Sequence, residues 1–259
     1  MPKLSILTSS FNSEKYLNNF LKNVSDQSFQ DYELCIELVT PSQKEKNIFR
    51  KSKLSKDKLN DQFVNKKISL SKAWNNSILR SQGEYLCIWN TDDIRTKNSL
   101  ELMVNILDEQ ENINFVYGNY FIVNKYKSKK GNFIDESNRE NELKKSMILG
   151  PFFMFRKNVI NEINMFDEQL LSGADFDFAL RLGNNFKGIH IKDNLGYFLN
   201  IGKGLSTSSG SLQEIERTVI ELRYGLKPIN KQLIKIAEEN YNIFNLKINN
   251  QFININNFI

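Results

Sequence analysis

The chain has 259 residues, of which 40% are hydrophobic and 25% are charged. This length and composition suit one substantial hydrophobic core and exclude an intrinsically disordered protein. The net charge of +5 would attract phosphates, nucleotides, nucleic acid or an anionic membrane surface, and it does not choose among them. The single histidine, His190, excludes a site built from several histidines.

The cysteines and the N-terminus indicate a compartment. Cys35 and Cys87 lie in the apolar runs YELCIEL and EYLCIW, where we expect buried and reduced thiols. The apolar stretch of MPKLSILTSSFN is too short for a signal peptide, and no apolar run reaches the length of a membrane span. We therefore expect a cytoplasmic protein.

The first third of the chain alternates strand-like and helix-like patterns. Apolar residues in YLNNFLKNV recur at helical spacing, with Asn12 or Ser13 as the predicted cap. SLSKAWNNSILRSQG predicts a helix that is capped by Ser69 or Ser71 and ends at Gly83. The basic stretch QKEKNIFRKSKLSKDKLN predicts a surface helix or loop. The predicted strands are LSILTSS, YELCIELV and EYLCIWN.

The rest of the chain continues this alternation. NSLELMVNILDEQ, VINEINMF and SGADFDFALRLGNN predict helices, the last ending at Gly183, and KYKSKKGNFIDESNRENELKK predicts a long loop. The predicted strands are NFVYGNYFIV, PFFMFRK and KGIHIKDNLGYFLN. From Leu212 we expect amphipathic helices interrupted at Pro228. The order of elements predicts an α/β fold with a mostly parallel central sheet flanked by helices.

Three polar turns follow the first strands of this sheet. TSSFN, LVTPS and NTDDI come directly after predicted strands. Ligands of parallel α/β sheets bind beyond the carboxyl ends of the strands, so these turns form one candidate site. Asp92 and Asp93 in the last turn are adjacent carboxylates. They either lie in a solvated turn or hold a hard divalent cation such as Mg²⁺ or Mn²⁺ together with substrate phosphates.

Three stretches resemble a known family. MPKLSILTSSFNSEKYL, AWNNSILRSQGEYLCIWNTDD and MFDEQLLSGADFDFALRL are similar to family 2 glycosyltransferases, which have the GT-A fold. The resemblance implies a GT-A domain over residues 1–205, with a nucleotide-binding half at 1–95 and an acceptor-binding half at 96–205. Residues 206–259 are then expected to form a C-terminal helical extension.

The resemblance also implies roles for residues at the strand ends. Asp92 would contact the ribose or sugar of a nucleotide-sugar donor, and Asp93 would bind Mn²⁺ or Mg²⁺. The first turn, with Ser9, Ser10, Phe11 and Asn12, would hold the nucleotide, although Phe11 stands where the family usually has Tyr. Asp175 would be the general base.

Several positions depart from the family pattern. Leu38 and Val39 replace an acidic pair that reads the base; Glu37 is a candidate substitute, although its side chain should face the other side of the strand. Trp74 stands where Arg is common, beside Asn75 in the helix that approaches the donor. Ala174 replaces a Glu next to the base.

The expected metal-binding histidine of many relatives is also absent. Its place falls near Asn200, and His190 is predicted to be structural. Lys66, Lys67 and Lys72 are expected to be solvated, with a role in binding the donor as the alternative. Asp177 and Arg181, four residues apart on one helix, are expected to form a structural pair.

The resemblance implies an inverting, metal-dependent glycosyltransferase. The favoured donor is a UDP-sugar, and the acceptor is a glycan or lipid-linked hydroxyl in bacterial cell-surface polysaccharide or lipopolysaccharide synthesis. The basic stretch 43–60 and the C-terminal helices would suit peripheral contact with the inner membrane face. The chain is compatible with a homo-oligomer.

Three other functions are alternatives to this one. A non-catalytic relative that binds sugar or nucleotide, or acts as a scaffold, is the main alternative, because of the departures from the family pattern. A nucleotidyltransferase would need a glycine-rich loop, and TSSFNSEKY has no glycine. Nucleic acid is not expected as a partner, because no aromatic and basic platform accompanies the net charge.

Overall fold

The computed structural model describes residues 1–202 and 211–258. The strands are β1 (Leu4–Ser10), β2 (Tyr32–Val39), β3 (Leu59–Val64), β4 (Tyr85–Ile88), β5 (Ile94–Arg95), β6 (Phe115–Val123), β7 (Asn132–Ile134), β8 (Phe153–Arg156), β9 (Gly188–Leu199), β10 (Asn245–Ile248) and β11 (Gln251–Asn254). The helices are α1 (Leu17–Ser25), α2 (Gln43–Arg50), α3 (Leu70–Arg80), α4 (Ser99–Glu109), α5 (Ile160–Ile163), α6 (Ala174–Asn185), α7 (Ser211–Arg223) and α8 (Ile234–Asn240).

A large mixed sheet forms the centre of the protein. Its strand order is β3-β2-β1-β4-β8-β6-β9-β5, and β7 pairs with β6. The strands from β3 to β4 are mutually parallel, as are β6 and β9, whereas β5, β7 and β8 run antiparallel to their neighbours. This arrangement confirms the predicted mostly parallel α/β sheet.

Alternating side chains of the strands pack against helices on both faces of the sheet. In β2, Leu34 and Ile36 pack in a core that also contains residues of α1, α2 and α4. Cys35 points the other way, into a core with residues of α3, α6 and α7. This alternation is the two-residue period of an extended strand. Both faces are covered, so the ends of the strands are the places where a ligand can reach the sheet.

The structure corrects several predicted helix ends. Helix α1 begins at Leu17 after Tyr16, without a side-chain cap, so neither Asn12 nor Ser13 caps it. Ser69 caps α3 by accepting a hydrogen bond from the Lys72 amide at 3.2 Å, as predicted. Gly83 does not end α3, which stops at Arg80.

Two segments contain more structure than their sequence predicted. Residues 43–60 include α2 and the start of β3, and the long loop after β6 contains the short strand β7. Gly183 lies inside α6, where a Cβ would come within 2.6 Å of the Leu143 carbonyl oxygen. The glycine is therefore needed for close packing and does not end the helix.

The C-terminal segment contains strands as well as helices. After α7 and α8 the chain forms an antiparallel hairpin of β10 and β11, which the prediction of a helical extension missed. Val219, Ile220 and Leu246 are buried in the same core as Phe155 of β8 and Phe178 of α6. The predicted boundary at 205/206 lies outside the described residues.

Candidate active site

The turns after β1 and β4 are joined at the carboxyl edge of the sheet. The Trp89 amide donates to the Leu7 carbonyl at 3.0 Å, and the Thr8 hydroxyl donates to the Trp89 carbonyl at 2.9 Å. These bonds continue the parallel β1–β4 ladder by one residue. As a result TSSFN and NTDDI lie side by side, as the sequence predicted for strand ends of a parallel sheet.

Asp93 is held inside the protein at this edge. Its side chain is buried and its Oδ1 accepts a hydrogen bond from the Leu199 amide at 3.3 Å, while the Trp89 indole donates to its carbonyl at 3.2 Å. Burial and the neighbouring Asp92 raise the pKa of Asp93 well above its ordinary value; the Leu199 amide and Arg95 oppose this rise. A carboxylate with so little solvation gains from a bound cation.

Asp92 is half-buried, and burial raises its pKa too. No ion pair joins Asp92 or Asp93 to a lysine or arginine within residues 1–202 and 211–258. Two adjacent carboxylates without a cationic partner fit a hard divalent cation that completes its coordination with water and substrate phosphates. Asp93, with Asp92 beside it, is therefore the candidate metal ligand.

The described part of the chain offers no cation site made by protein alone. No group of three or more His, Cys, Asp or Glu side chains gathers there to hold a metal. Such a site would bind its metal tightly without substrate, whereas Mg²⁺ is usually held by one or two carboxylates together with substrate phosphates. The donor set at Asp92 and Asp93 matches this second arrangement.

The predicted donor-binding residues of the first turn lie next to these carboxylates. Ser9 is half-buried, and Ser10 is buried with its hydroxyl hydrogen-bonded to that of Ser13. Phe11 is 43% exposed, and the Lys67 ammonium lies 5.6 Å from the centre of its ring. Asn12 has a φ of 51°, which turns the chain sharply away from β1. The turn thus presents one open aromatic face with a cation beside it.

Glu37 and Asn75 are engaged elsewhere. Glu37 is fully buried and forms an ion pair with Arg80 of α3, so its carboxylate faces the side of the sheet opposite Leu38. The Asn75 amide donates to the Phe166 carbonyl at 2.8 Å and accepts from the Phe166 amide at 2.9 Å. Both side chains hold the protein together, which corrects the expectation that they face a donor.

A cleft of about 650 Å³ reaches the turn that contains the two aspartates, although neither aspartate lines it. Asn90, from the turn that carries Asp92 and Asp93, and Asn200, next to Leu199, line one side of the cleft. Helix α7 and the start of α6 line the other. The size suits a sugar and part of an acceptor. Asp175, the predicted base, also lines the cleft.

The carboxyl group of Asp175 has a raised pKa. Asp175 is the second residue of α6, and burial raises its pKa to about 6; the Glu216 carboxylate adds to the rise, and the Phe176 amide opposes it. A carboxylate with such a pKa is ionised at neutral pH and remains a stronger base than an ordinary aspartate. Perturbed carboxylates in clefts are frequent in catalytic sites.

Sequence reasoning missed two residues near the site. Arg95 is buried close to Asp93, with its guanidinium donating to the Ile88 carbonyl at 3.0 Å and lying over the Trp89 and Phe152 rings. Glu216 contacts the loop before α6. An arginine two residues after an acidic pair is a signal that could have been noticed; Glu216 has no such local signal.

The other polar residues considered in the sequence have structural contacts. His190 lies in β9 with its Nε2 atom 2.7 Å from the Asn119 side-chain oxygen. Asp177 and Arg181 form the expected ion pair at 2.7 Å, fully buried. Lys72 pairs with Glu168 at 3.1 Å.

No helix in residues 1–202 and 211–258 is long and apolar enough to cross a membrane.

The chain is similar to known glycosyltransferases. A glucosyltransferase of Campylobacter jejuni, named for an undecaprenol-linked GalNAc and diNAcBac acceptor and a beta-1,3 linkage, is 25% identical over 179 residues, which are 68% of this chain and 55% of that protein. The chain thus spans about half the length of that relative. Staphylococcus aureus TarS (1–349) with UDP-GlcNAc has a TM-score of 0.64 and 19% identity, covering 93% of this chain and 72% of that one.

A second solved structure has the same fold. The mannosyltransferase PcManGT of Pyrobaculum calidifontis, in complex with GDP-Man and Mn²⁺, has a TM-score of 0.58 and 12% identity, covering 93% of this chain and 65% of that one. These likenesses confirm the predicted GT-A fold. The model of the family described as "Glycosyl transferase family 2" matches residues 5–163, more than half of the chain. The chain belongs to glycosyl transferase family 2.

Proposed function

We propose that this glycosyltransferase moves a sugar from a nucleotide-sugar donor to an acceptor hydroxyl in a single displacement that inverts the anomeric configuration. The observation that carries the proposal is a cleft that is lined by Asp175 and reaches the turn that contains Asp92 and Asp93. Asp175 has a pKa of about 6. The same cleft is lined by Asn90, from the turn of Asp93, and by Asn200, next to the Leu199 amide that binds Asp93. The two acids serve different roles in the proposal: Asp93, with the adjacent Asp92, is suited to a cation, and Asp175 is suited to accept a proton.

Asp175 acts as the general base in this proposal. The acceptor oxygen attacks the anomeric carbon, its proton passes to Asp175, and the bond from the sugar to the nucleoside diphosphate breaks. A carboxylate with a pKa near 6 is much too weak to deprotonate an alcohol beforehand, so proton transfer accompanies bond formation. The diphosphate leaves on the opposite face of the sugar.

Asp93, with Asp92, holds the metal in this proposal. A bound Mn²⁺ or Mg²⁺ would neutralise the charge that develops on the departing diphosphate. Asp92, which is half-buried, would contact the ribose or sugar of the donor. The Mn²⁺ in the structure of PcManGT supports the use of a divalent metal by this protein.

The nucleotide is proposed to bind over the first turn, with its base against Phe11. The two solved neighbours contain UDP-GlcNAc and GDP-Man, so they do not agree on a base. We favour a UDP-sugar. Leu38 is in the core, Glu37 is paired with Arg80 and the Ser10 hydroxyl is hydrogen-bonded to Ser13, so base recognition relies on stacking and on Ser9 of the first turn.

The acceptor is proposed to be a glycan or lipid-linked hydroxyl in cell-surface polysaccharide or lipopolysaccharide synthesis. The Campylobacter relative, named for an undecaprenol-linked acceptor, supports this class. Contact with an anionic membrane from the cytoplasmic side is supported by the basic stretch 43–60, whose acidic Glu45 is buried as part of the α2 cap. Loss of binding to phosphatidylglycerol vesicles at high salt would support that contact.

Release of nucleoside diphosphate from UDP-GlcNAc, UDP-glucose and GDP-mannose, with Mn²⁺ and with water as acceptor, tests the proposed reaction. One donor should be hydrolysed by the wild type, and proton NMR should show the β-sugar first when the donor is α-linked. Asp175→Asn should lose the activity and keep donor binding. A protein that binds a nucleotide sugar without turnover would instead support a non-catalytic relative.

A further inference from the structure

A carboxylate from the C-terminal segment holds the loop that leads into α6. Glu216 of α7 is fully buried. Its Oε1 accepts a hydrogen bond from the Leu171 amide at 2.8 Å, and its Oε2 accepts from the amides of Ser172 at 2.7 Å and Gly173 at 2.8 Å. One side chain thus binds three consecutive amides just before the helix that carries Asp175.

A further hydrogen bond and close packing support the contact between Glu216 and the loop. The Tyr241 hydroxyl donates to Glu216 Oε1 at 3.1 Å. A Cβ on Gly173 would lie 2.9 Å from Ile220 Cδ1 and 3.6 Å from Glu216 Oε2. A side chain at position 173 would therefore have to displace the end of the Ile220 side chain. Ile220 and Glu216 are one turn apart on α7, so the same face of the helix packs on the loop and binds it.

This contact determines where Asp175 lies. The first amides of a helix and of the turn before it have no partner within the helix, so their position depends on an outside acceptor. No side chain caps α6 at Gly173, and Ala174 has no polar side-chain atom. Asp175 follows directly, with its own oxygen bonded to the Phe176 amide at 2.9 Å.

We propose that Glu216 is a positioning residue for sugar transfer, which fixes the 171–173 loop and thereby the direction in which Asp175 points into the cleft. The inference rests on the proposed function of Asp175. It makes α7 part of the reaction machinery, although α7 lies outside the residues that match the family model.

Glu216 also acts on Asp175 electrostatically. Burial raises the pKa of Asp175, and the negative charge of Glu216 raises it further. The other charged side chains that line the same cleft are Arg139, Glu214 and Arg217. Loss of the charge at Glu216 should therefore lower the pKa of Asp175, an effect that differs from simple loosening of the fold.

Glu216→Gln tests the inference in the donor-hydrolysis assay. The NH₂ group of the glutamine side chain would face backbone amides that are themselves hydrogen-bond donors. This repulsion is expected to displace the loop. A displacement of about 1 Å can cost about 100-fold in rate, so we expect kcat to fall by roughly 10- to 100-fold. The KM for the donor should not change, since Asp93 is not touched. The acid limb of the kcat profile should move to lower pH.

Two further variants keep the test decisive. Glu33→Gln is the matched control: Glu33 is also buried and accepts hydrogen bonds from the Ser5 hydroxyl and the Gln82 amide, at the start of β2. It should lose stability and keep the wild-type kcat and pH profile. Tyr241→Phe removes only the hydroxyl bonded to Glu216, and it should give a smaller loss of kcat even if Glu216→Gln does not fold.

The outcomes separate the inference from the proposed function. If Asp175→Asn abolishes hydrolysis while Glu216→Gln and Tyr241→Phe keep the wild-type kcat and pH profile, Glu216 has no positioning role and the base assignment stands. If Asp175→Asn itself remains active, the base assignment fails first. A fall in kcat for Glu33→Gln equal to that for Glu216→Gln would also overturn the inference, because any loss of stability would then explain the effect.

Discussion

The guanidinium of Arg223 donates to Asp177 Oδ1 at 2.7 Å, and both side chains are completely buried. Arg223 also pairs with Asp167 at 2.9 Å, while Asp177 pairs with Arg181. Arg223 lies on α7 and Asp177 lies on α6, two residues after the proposed base. A network of two arginines and two aspartates thus joins the C-terminal segment to the helix that carries Asp175.

Arg223→Leu should strongly destabilise the protein. Removal of one partner from a buried ion pair leaves uncompensated charge, which typically costs about 3–5 kcal/mol. The measurement is the free energy of unfolding in urea at pH 7. The control is Arg217→Leu on the same helix: Arg217 is 55% exposed in its pair with Glu221 and should change the free energy by about 1 kcal/mol or less. Equal effects for the two variants would contradict this view of the network.

Asp93→Ala should abolish metal-dependent binding of nucleotide. In a thermal-shift assay with UDP, GDP, dTDP and CMP, one nucleotide should stabilise the wild type in the presence of Mn²⁺. Binding at a hundred times the dissociation constant adds about 2.7 kcal/mol, which is enough for a clear shift in melting temperature. The shift should be lost without Mn²⁺ and in Asp93→Ala.

The control for this experiment is Asp193→Ala. Asp193 is an exposed aspartate of β9, and its loss should leave the nucleotide shift intact. A shift of the same size in Asp93→Ala and the wild type would rule out Asp93 as a metal ligand. Without any ligand, Asp93→Asn should melt at a higher temperature than the wild type, since a buried carboxylate without a cationic partner destabilises the fold.

The features that could be predicted from the sequence depend on local periodicity. The apolar run around Leu34, Cys35 and Ile36 correctly indicated a strand with a buried thiol, and the position of Asp92 and Asp93 after EYLCI correctly placed them at the end of a strand. Such patterns reflect which side chains face a core, and that depends on neighbours a few residues away.

The features that were missed depend on contacts far along the chain. Asn75 was predicted to bind the donor, yet its side-chain amide donates a hydrogen bond to the Phe166 carbonyl, 91 residues later in the chain. Glu216 accepts a hydrogen bond from the Gly173 amide, 43 residues earlier in the chain, and no local sequence pattern indicates that contact. The final stretch mixes Asn with apolar residues and suggests no period, although Asn249 and Asn250 both have positive φ in the turn of the C-terminal hairpin. Asparagine tolerates this conformation, and the pair was a signal of a turn.

Phe11→Ala should weaken nucleotide binding without a large effect on stability. Its ring is 43% exposed, so the free energy of unfolding should change by no more than about 0.5 kcal/mol. Stacking of a base on an aromatic ring contributes about 1–3 kcal/mol, so the affinity for the nucleotide found by thermal shift should fall by about 5- to 150-fold. Phe252→Ala, at a 56% exposed phenylalanine of β11, is the control and should leave the affinity unchanged. Equal affinities for the two variants would place the base elsewhere.

The rate of donor hydrolysis should rise with pH around the pKa of Asp175. That pKa is about 6 because burial disfavours the charged carboxylate, and only the ionised form accepts a proton. The kcat should therefore be low at pH 5 and reach a plateau above about pH 7. Asp175→Asn should lower the plateau by about 100- to 10,000-fold.

The raised pKa of Asp175 also predicts how Asp175→Asn changes the stability of the fold. Because the pKa of Asp175 is raised in the folded protein, its ionisation destabilises the fold as the pH rises from the ordinary value of 3.8 through about 6. Asp175→Asn lacks this penalty, so at pH 8 it should melt at the same temperature as the wild type or higher. A variant that is inactive and equally stable has lost chemistry and not structure. An acid limb that persists in a partly active Asp175→Asn would show that another group titrates, and Asp175 would then not be the base.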